Sequence, residues 1–305
     1  MNDPYLLHIF NPTKNVSPFD VNMAYETAYD GVIPYTNVTL EEIHGLTQDT
    51  IFSRGPAGMK RTAIFIGGRE FGLAMDMLDH ARNAMIPPFA VSVFADPSGA
   101  ITTAAALVAC IESCMKSRNG ETLAGKKVHI MGGTGPVGIC AGVLAYGCGA
   151  EVYLASSRGC DVARNVAEEY NARCGVAMRG ASSHSGDEIL EFLEQTQVVI
   201  GAAKAGIKLL DREQLEKAGE LMIAADVNAV PPPGIEGVDV NDMGTPMDFT
   251  PKKAVAIGAL AIGNVKYKVH YRLFEMMQSA KEPVYLDHIK AFDVARKFMS
   301  KRVYE

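Results

Sequence analysis

Apolar positions in the first hundred residues alternate between two periods. Short runs at Tyr5–Phe10, Ile33–Tyr35, Thr62–Gly68 and Pro88–Asp96 read as strands. Helical spacing stands between them. The turn and cap SPFD (17–20) leads into a helix over Val21–Tyr29, with Asp20 open to a reading as that helix's cap alone. In TLEEI (39–43), Thr39 and Glu42 have the spacing of a capping box before a second helix, and IFSR (51–54) comes after it. Residues 70–85 place Phe71, Leu73, Met75, Met77 and Leu78 on an amphipathic helix, where the methionines are core filler. Strand, helix and strand in turn, with no phosphate loop, predict a separate α/β domain. Pro97-Ser98-Gly99 then introduces a long helix, Ile101–Lys116, and the polar segment SRNGETLAGKK (117–127) leads from it into the second half of the chain.

Residues 127–138, KVHIMGGTGPVG, organise that second half. Val128–Met131 is a short strand, and an apolar helical pattern runs on from Pro136. Gly133, Gly135 and Gly138 match G-x-G-x-x-G between strand and helix. In that setting glycines permit a tight turn, close approach of backbone to a pyrophosphate, and close packing of helix on strand. The helix start, Pro136-Val137-Gly138, offers free N–H groups and partial positive charge to the phosphates, and Thr134 lies within the loop. A second strand, Glu151–Ala155, ends in Ser156-Ser157-Arg158 where NAD binders usually carry a carboxylate. A guanidinium with two hydroxyls suits a 2′-phosphate, so the pattern leans to NADP. A solvated Arg158 on a plain turn is the competing reading, and Asp161 remains available to a ribose. Beyond come helices over 160–172 and 187–195, strands at 197–201, 221–225 and 254–258, a helix over 264–279 after the glycine-broken AIGALAIG, and a closing C-terminal helix.

Composition narrows the class. The chain has 305 residues, 48% hydrophobic and 21% charged, ample for two cores. A net charge of −6 excludes a general nucleic-acid surface. No basic-then-apolar leader is evident, and no apolar stretch approaches a membrane span of about 20 residues. The six cysteines show no C-x-x-C and no zinc spacing, so a reduced, cytoplasmic setting is expected, with no metal. Paired catalytic carboxylates and a nucleophile elbow are lacking. His270, near Lys266 and Lys268, is the best histidine candidate. The expected fold is α/β: a doubly wound, Rossmann-like parallel sheet plus another α/β domain. That plan favours an oxidoreductase with its substrate in a cleft.

The blocks SPFDVNMA, IPYTNVTLEEI, LTQDTIFSR, TAIFIGG, FADPSGAITTAAA, GGTGPVG, DVNAVPPPGI and GALAIGNVKYKVHYRLF succeed one another, from about residue 5 to 300, in an order that resembles the bacterial NAD(P)-dependent methylene-tetrahydromethanopterin dehydrogenases. The resemblance implies oxidation of methylene-tetrahydromethanopterin to the methenyl cation with NADP or NAD, a step of formaldehyde oxidation. It also implies a fold similar to methylene-tetrahydrofolate dehydrogenases. Residues 1–105 would form the pterin domain, completed by a C-terminal helix at 275–305, and residues 106–274 the NADP domain. A homo-oligomer, trimer or hexamer, is implied as well.

Carried onto this chain, Gly133, Thr134, Gly135, Pro136, Val137 and Gly138 would bind the pyrophosphate, and Ser156, Ser157 and Arg158 the adenosine ribose end. Lys266, in GNVKYK, matches a lysine that the family places in the pterin site, where an ammonium would donate to a carbonyl or ring nitrogen. The competing reading is a lysine that only snorkels along its helix. Asp20, Thr102 and Thr103 would line the same pocket, and Asp226 and Asn228, at a strand end, would face nicotinamide or pterin. No Tyr-x-x-x-Lys pair is apparent in the N-terminal half, which argues against cyclohydrolase activity. The rivals are an NADP-dependent methylene-tetrahydrofolate dehydrogenase, a non-catalytic NADP sensor, and a dehydrogenase of another small substrate such as shikimate, against which the lack of a Lys–Asp pair in a matching context counts.

Overall fold

The structure, a computed structural model, describes residues 3–302. It divides into two compact units, Met1–Thr102 with Tyr267–Val294, and Thr103–Lys266 with Ala295–Glu305. The sequence reading puts these changes at 105/106 and 274/275.

The chain opens with β1 (Leu6–Asn11), α1 (Pro18–Glu26), β2 (Gly31–Thr36), α2 (Glu42–Phe52), the single turn α3 (Pro56–Met59), β3 (Thr62–Ile66), α4 (Phe71–Asn83) and β4 (Ser92–Ala95). A 3₁₀ turn at Pro97–Gly99 enters α5 (Ala100–Asn119). Next come β5 (Lys127–Met131), α6 (Pro136–Gly147), β6 (Glu151–Ser156), α7 (Cys160–Cys174), β7 (Arg179–Ser182), α8 (Gly186–Leu193), β8 (Val198–Gly201), α9 (Arg212–Glu216) and β9 (Ile223–Asp226). The last elements are β10 (Met243–Pro246), β11 (Val255–Ile257), α10 (Ala259–Ser279), β12 (Tyr285–Leu286) and α11 (His288–Arg302).

The first unit holds a five-stranded sheet in the order β12-β4-β3-β1-β2, with every pairing parallel. Strands β3 and β4 show no alternation because both faces are covered: every residue of each is buried. Phe10, Ile43, Ile51, Ile64, Ile66, Met77 and Val93 form one of its cores. The second unit holds seven strands in the order β10-β11-β9-β8-β5-β6-β7, parallel except for β10. Met131, Val199, Leu210, Leu215, Leu221 and Ile235 pack on one of its faces. Strand order reverses beside β1 in one sheet and beside β5 in the other. In open α/β sheets such switch points open a crevice at the carboxyl ends of the strands.

Several local expectations shift. Helix α1 starts at Pro18, so Asp20 is a first-turn residue and Ser17 holds the cap position. Ile51 and Phe52 of IFSR close α2. The capping-box spacing is half realised: the Thr39 N–H donates to Glu42 Oε2 at 2.8 Å. Helix α10 begins at Ala259 and runs through Gly263, since packing overrides a glycine that costs only about 1 kcal/mol. Strand β7 (RGAS) has no apolar pattern to announce it. Its Gly180 lies so close to α7 that a Cβ there would sit 2.4 Å from the Arg164 backbone nitrogen, so close packing selects its small residue. The segment Pro97–Arg118 is long and apolar enough to cross a membrane by length and composition, contrary to the expectation that no stretch comes near it. Of its most apolar window, 78% is buried inside the protein, as in a core helix.

Candidate active site

The glycine loop lies at the switch point of the seven-stranded sheet, between β5 and α6. Its three glycines have different surroundings. A Cβ on Gly133 would meet Ile130 O at 2.7 Å and Leu154 Cα at 2.8 Å, and one on Gly138 would meet Gly133 Cα at 2.7 Å. These two let the turn press on the strands and the helix press on the turn. Gly135, the N-cap of α6, is different: a Cβ there meets only Gly132 O, at 3.4 Å. Its outer side is the open one, where a phosphate can reach the backbone. Thr134, Gly135, Pro136 and Val137 are half-exposed, while Gly133 and Gly138 are buried. Pro136 at the first helical position sacrifices no hydrogen bond. A dinucleotide pyrophosphate placed in this turn would meet the first-turn N–H groups of α6.

One strand over, the exit of β6 carries the residues proposed for the adenosine end. Ser156 is buried, and its hydroxyl accepts the Arg158 N–H at 3.1 Å, so it shapes the turn from within. Ser157 and Arg158 are exposed. The Arg158 guanidinium reaches back to Thr134 Oγ1 at 3.4 Å, which brings the candidate 2′-phosphate group to the glycine loop. Asp161 is engaged with Arg164 at 3.0 Å.

Asp226 and Asn228 stand at the carboxyl end of β9, with their polar atoms turned onto the neighbouring loops. Asp226, only 2% exposed, accepts the Asn228 N–H on Oδ1 and the Ile235 N–H on Oδ2, each at 3.0 Å. Burial raises its pKa, while backbone N–H groups of Asn228, Ile235 and Gly234 oppose the rise. Asn228 Oδ1 accepts from Gly206 (3.3 Å) and Val230 (2.9 Å), and its amide donates to Pro232 O (2.9 Å). Together they brace the loops that come after β8 and β9 at the switch-point crest. A buried carboxylate must be satisfied where it lies, and here the adjoining backbone N–H groups do so.

In the first unit, the carboxyl ends of β1, β3 and β4 make a second crest. Asn11, buried at the end of β1, donates its amide to Thr13 O and Asn15 O at 2.7 and 3.0 Å. A Cβ on Gly67 would meet its Oδ1 at 2.9 Å, and Ser98 Oγ donates to Gly68 O at 2.8 Å. At the end of β4 lies Asp96, fully buried. Its Oδ1 accepts the N–H groups of Ile101 and Thr102 at 2.9 and 3.1 Å, and its Oδ2 accepts the Thr102 hydroxyl at 2.6 Å. His270 Nδ1 on α10 lies 3.0 Å from the same Oδ2, both side chains with no solvent exposure. Rings of Phe19, Phe65, Phe94 and Phe274 surround the imidazole at centroid distances of 5.0 to 5.9 Å.

This cluster alters the reading of the threonines. The Thr102 hydroxyl is spent on Asp96 inside the fold, whereas Thr103 keeps partial exposure. Asp20 is buried in the first turn of α1. Lys266, half-buried on α10, lies four residues before His270 and so shares its helix face. Asp96 carried no sequence signal beyond ending a strand, and Asn11 none beyond a turn. Asp96 meets His270 from far along the chain, whereas Asn11 bonds Thr13 and Asn15 only two and four residues on. Asp96 accepts three buried hydrogen bonds, and leaving a buried partner unmatched costs about 1–3 kcal/mol. Asp96→Asn should therefore lower stability on that scale in urea unfolding, and a midpoint equal to the unsubstituted protein's would show that these bonds hold nothing.

Comparison with known proteins agrees with this arrangement. Residues 18–98 match the family described as methylene-tetrahydromethanopterin dehydrogenase, N-terminal. The chain is 42% identical over 290 residues to an NAD(P)-dependent methylenetetrahydromethanopterin dehydrogenase of Methylorubrum extorquens, covering 95% of this chain and 97% of that protein. It is 33% identical over 280 residues to the bifunctional protein MdtA of the same organism, covering 92% and 94%. A crystal structure of shikimate 5-dehydrogenase from Listeria monocytogenes shares the fold, with a TM-score of 0.53 at 13% identity over 98% of this chain and 96% of that one. With a relative this similar along almost its whole length, the chain belongs to the methylene-tetrahydromethanopterin dehydrogenase family.

Proposed function

We propose that this chain is an NAD(P)-dependent methylene-tetrahydromethanopterin dehydrogenase. The observation that carries the reading is the 42% identity over 95% of the chain to a protein of that name. The cradle formed by Gly133, Gly135 and Gly138 supports it physically. In the reaction a C–H bond of the methylene bridge breaks, its electron pair leaves as hydride, and a bridge nitrogen's lone pair closes the C=N⁺ bond of the methenyl product. The bound nicotinamide supplies the hydride acceptor. No proton has to be taken from carbon, so the protein's part is binding and orientation. The first turn of α6 holds the pyrophosphate, Ser157 and Arg158 face the adenosine ribose, and Lys266 donates to the pterin. Thr103 and Asp20 line the pterin side, and Thr102, Asp226 and Asn228 act through the backbone they hold.

NADP is the preferred cofactor and NAD is tolerated, because Arg158 stands where a 2′-phosphate would come and β6 ends in Ser156-Ser157-Arg158 in place of a carboxylate. Residues 1–105 with the C-terminal helix are read as the pterin domain, and 106–274 as the cofactor domain. The reading includes a cytoplasmic homo-oligomer, trimer or hexamer, as the family resemblance implies. The test is an absorbance assay with methylene-tetrahydromethanopterin and methylene-tetrahydrofolate, each with NADP and with NAD. Fast methenyl formation from the methanopterin is expected, fastest with NADP. Turnover of tetrahydrofolate alone would reassign the substrate, and no turnover in protein that still binds NADP would replace the enzyme with a sensor.

A further inference from the structure

The turn that presents Arg158 is not held by its own residues alone. It is fastened to the exit of β7, an edge strand of only four residues with no apolar pattern. The Ser183 N–H donates to Ser156 O at 3.0 Å. His184 Nδ1 lies 2.9 Å from Ser157 O, and the His184 backbone N–H donates to Ser182 Oγ at 3.3 Å. A carbonyl only accepts, so Nδ1 carries the proton in this contact. Just beyond, Ser185 and Glu188 close a capping box that fixes the start of α8. The imidazole is thus carried on an anchored segment and grips the carbonyl immediately before Arg158.

We propose that His184 is a specificity-determining, positioning residue for the cofactor. By donating Nδ1–H to the Ser157 carbonyl, it holds the Ser157–Arg158 turn so that the guanidinium stays beside Thr134, where a 2′-phosphate is met. This rests on the reading of Arg158 as the 2′-phosphate group. The choice between NADP and NAD then depends on a residue outside the glycine loop and outside the strand end that usually sets it. Freed of this contact, the turn keeps Arg158 but no longer orders it, and only the phosphorylated cofactor loses by that.

The experiment measures KM for NADP and for NAD in Arg158→Ala, His184→Ala, His184→Asn and the double variant Arg158→Ala/His184→Ala, with thermal unfolding as a folding control. His184 is exposed, so its variants should fold. His184→Ala is expected to raise the KM for NADP about five-fold, as loss of a single ordering hydrogen bond would, and leave that for NAD unchanged. The Asn side-chain amide sits where Nδ1 did, so His184→Asn should recover most of the loss. In the Arg158→Ala background, removing His184 should add nothing, since the two residues act as one unit. Arg158→Ala shifting the NADP:NAD ratio while His184→Ala does not would overturn the proposal. So would additive losses in the double variant, which would mean a separate contact, or no recovery with asparagine. An unchanged ratio in Arg158→Ala would instead remove the 2′-phosphate reading on which the proposal stands.

Discussion

Gly135→Ala is expected to fold as the unsubstituted chain does and to lose ten-fold or more in affinity for both NADP and NAD. Gly135 has φ −86° and ψ 163°, a conformation open to any residue, and its added methyl would meet only Gly132 O at 3.4 Å. The fold therefore has little to lose. The methyl would project from the open side of the turn, where a pyrophosphate must come into contact with backbone N–H groups. Gly133→Ala makes the contrast. Its methyl would lie 2.7 Å from Ile130 O and 2.8 Å from Leu154 Cα, in main chain that cannot swing aside. Overpacking of this kind costs about 1–3 kcal/mol, so that variant should lose stability along with the cofactor. Urea unfolding and an NADP titration on both variants separate the two effects. Wild-type NADP affinity in a folded Gly135→Ala protein would move the pyrophosphate away from this turn.

Lys266→Ala should lower kcat with methylene-tetrahydromethanopterin by about 100-fold, the scale on which a preorganised donor acts, while the KM for NADP stays within about two-fold. Lysine on an amphipathic helix has a plain alternative, which is to lay its stem along apolar surface and its ammonium in water. The two roles separate in the kinetics. A snorkelling lysine leaves pterin turnover untouched when truncated, and that result would take Lys266 out of the site. Lys266→Arg keeps the charge but changes donor geometry, so it should recover only part of the rate.

The local pattern of the chain was enough for the alternation of strands and helices, the strand–glycine loop–helix at 127–147 and the arginine at the end of β6. All of these are statements about neighbours in sequence, where hydrophobic period and turn chemistry act directly. Family blocks spread along the chain then named the chemistry. Other features were out of reach of that pattern. Strand β12 joins the N-terminal sheet beside β4, pairing Leu286 with Phe94. Two residues carry no period, and their strand exists because an edge was left open to them. Gly180 of strand β7 is a glycine because α7 leaves no room for a Cβ, which the strand's own composition does not reveal.

The site shows the same division. The glycine triplet announced a cofactor, but which glycine serves packing and which serves the phosphate depends on how near Ile130, Leu154 and Gly132 come. Thr102, Asp226 and Asn228 were legible as polar residues at element ends. Their partners turned out to be Asp96 and the backbone of adjoining loops, so they hold the frame around the site. Ser157 meets His184 because the parallel strands β6 and β7 deliver their carboxyl ends side by side, and Asp96 meets His270 because α10 passes the end of β4. Sequence determined which segments would be strand, helix and phosphate turn, since those arise from forces acting over a few residues. The tertiary structure alone decided which polar groups face a ligand and which are consumed inside, because a buried polar atom must find its partner among whatever the fold brings within about 3 Å.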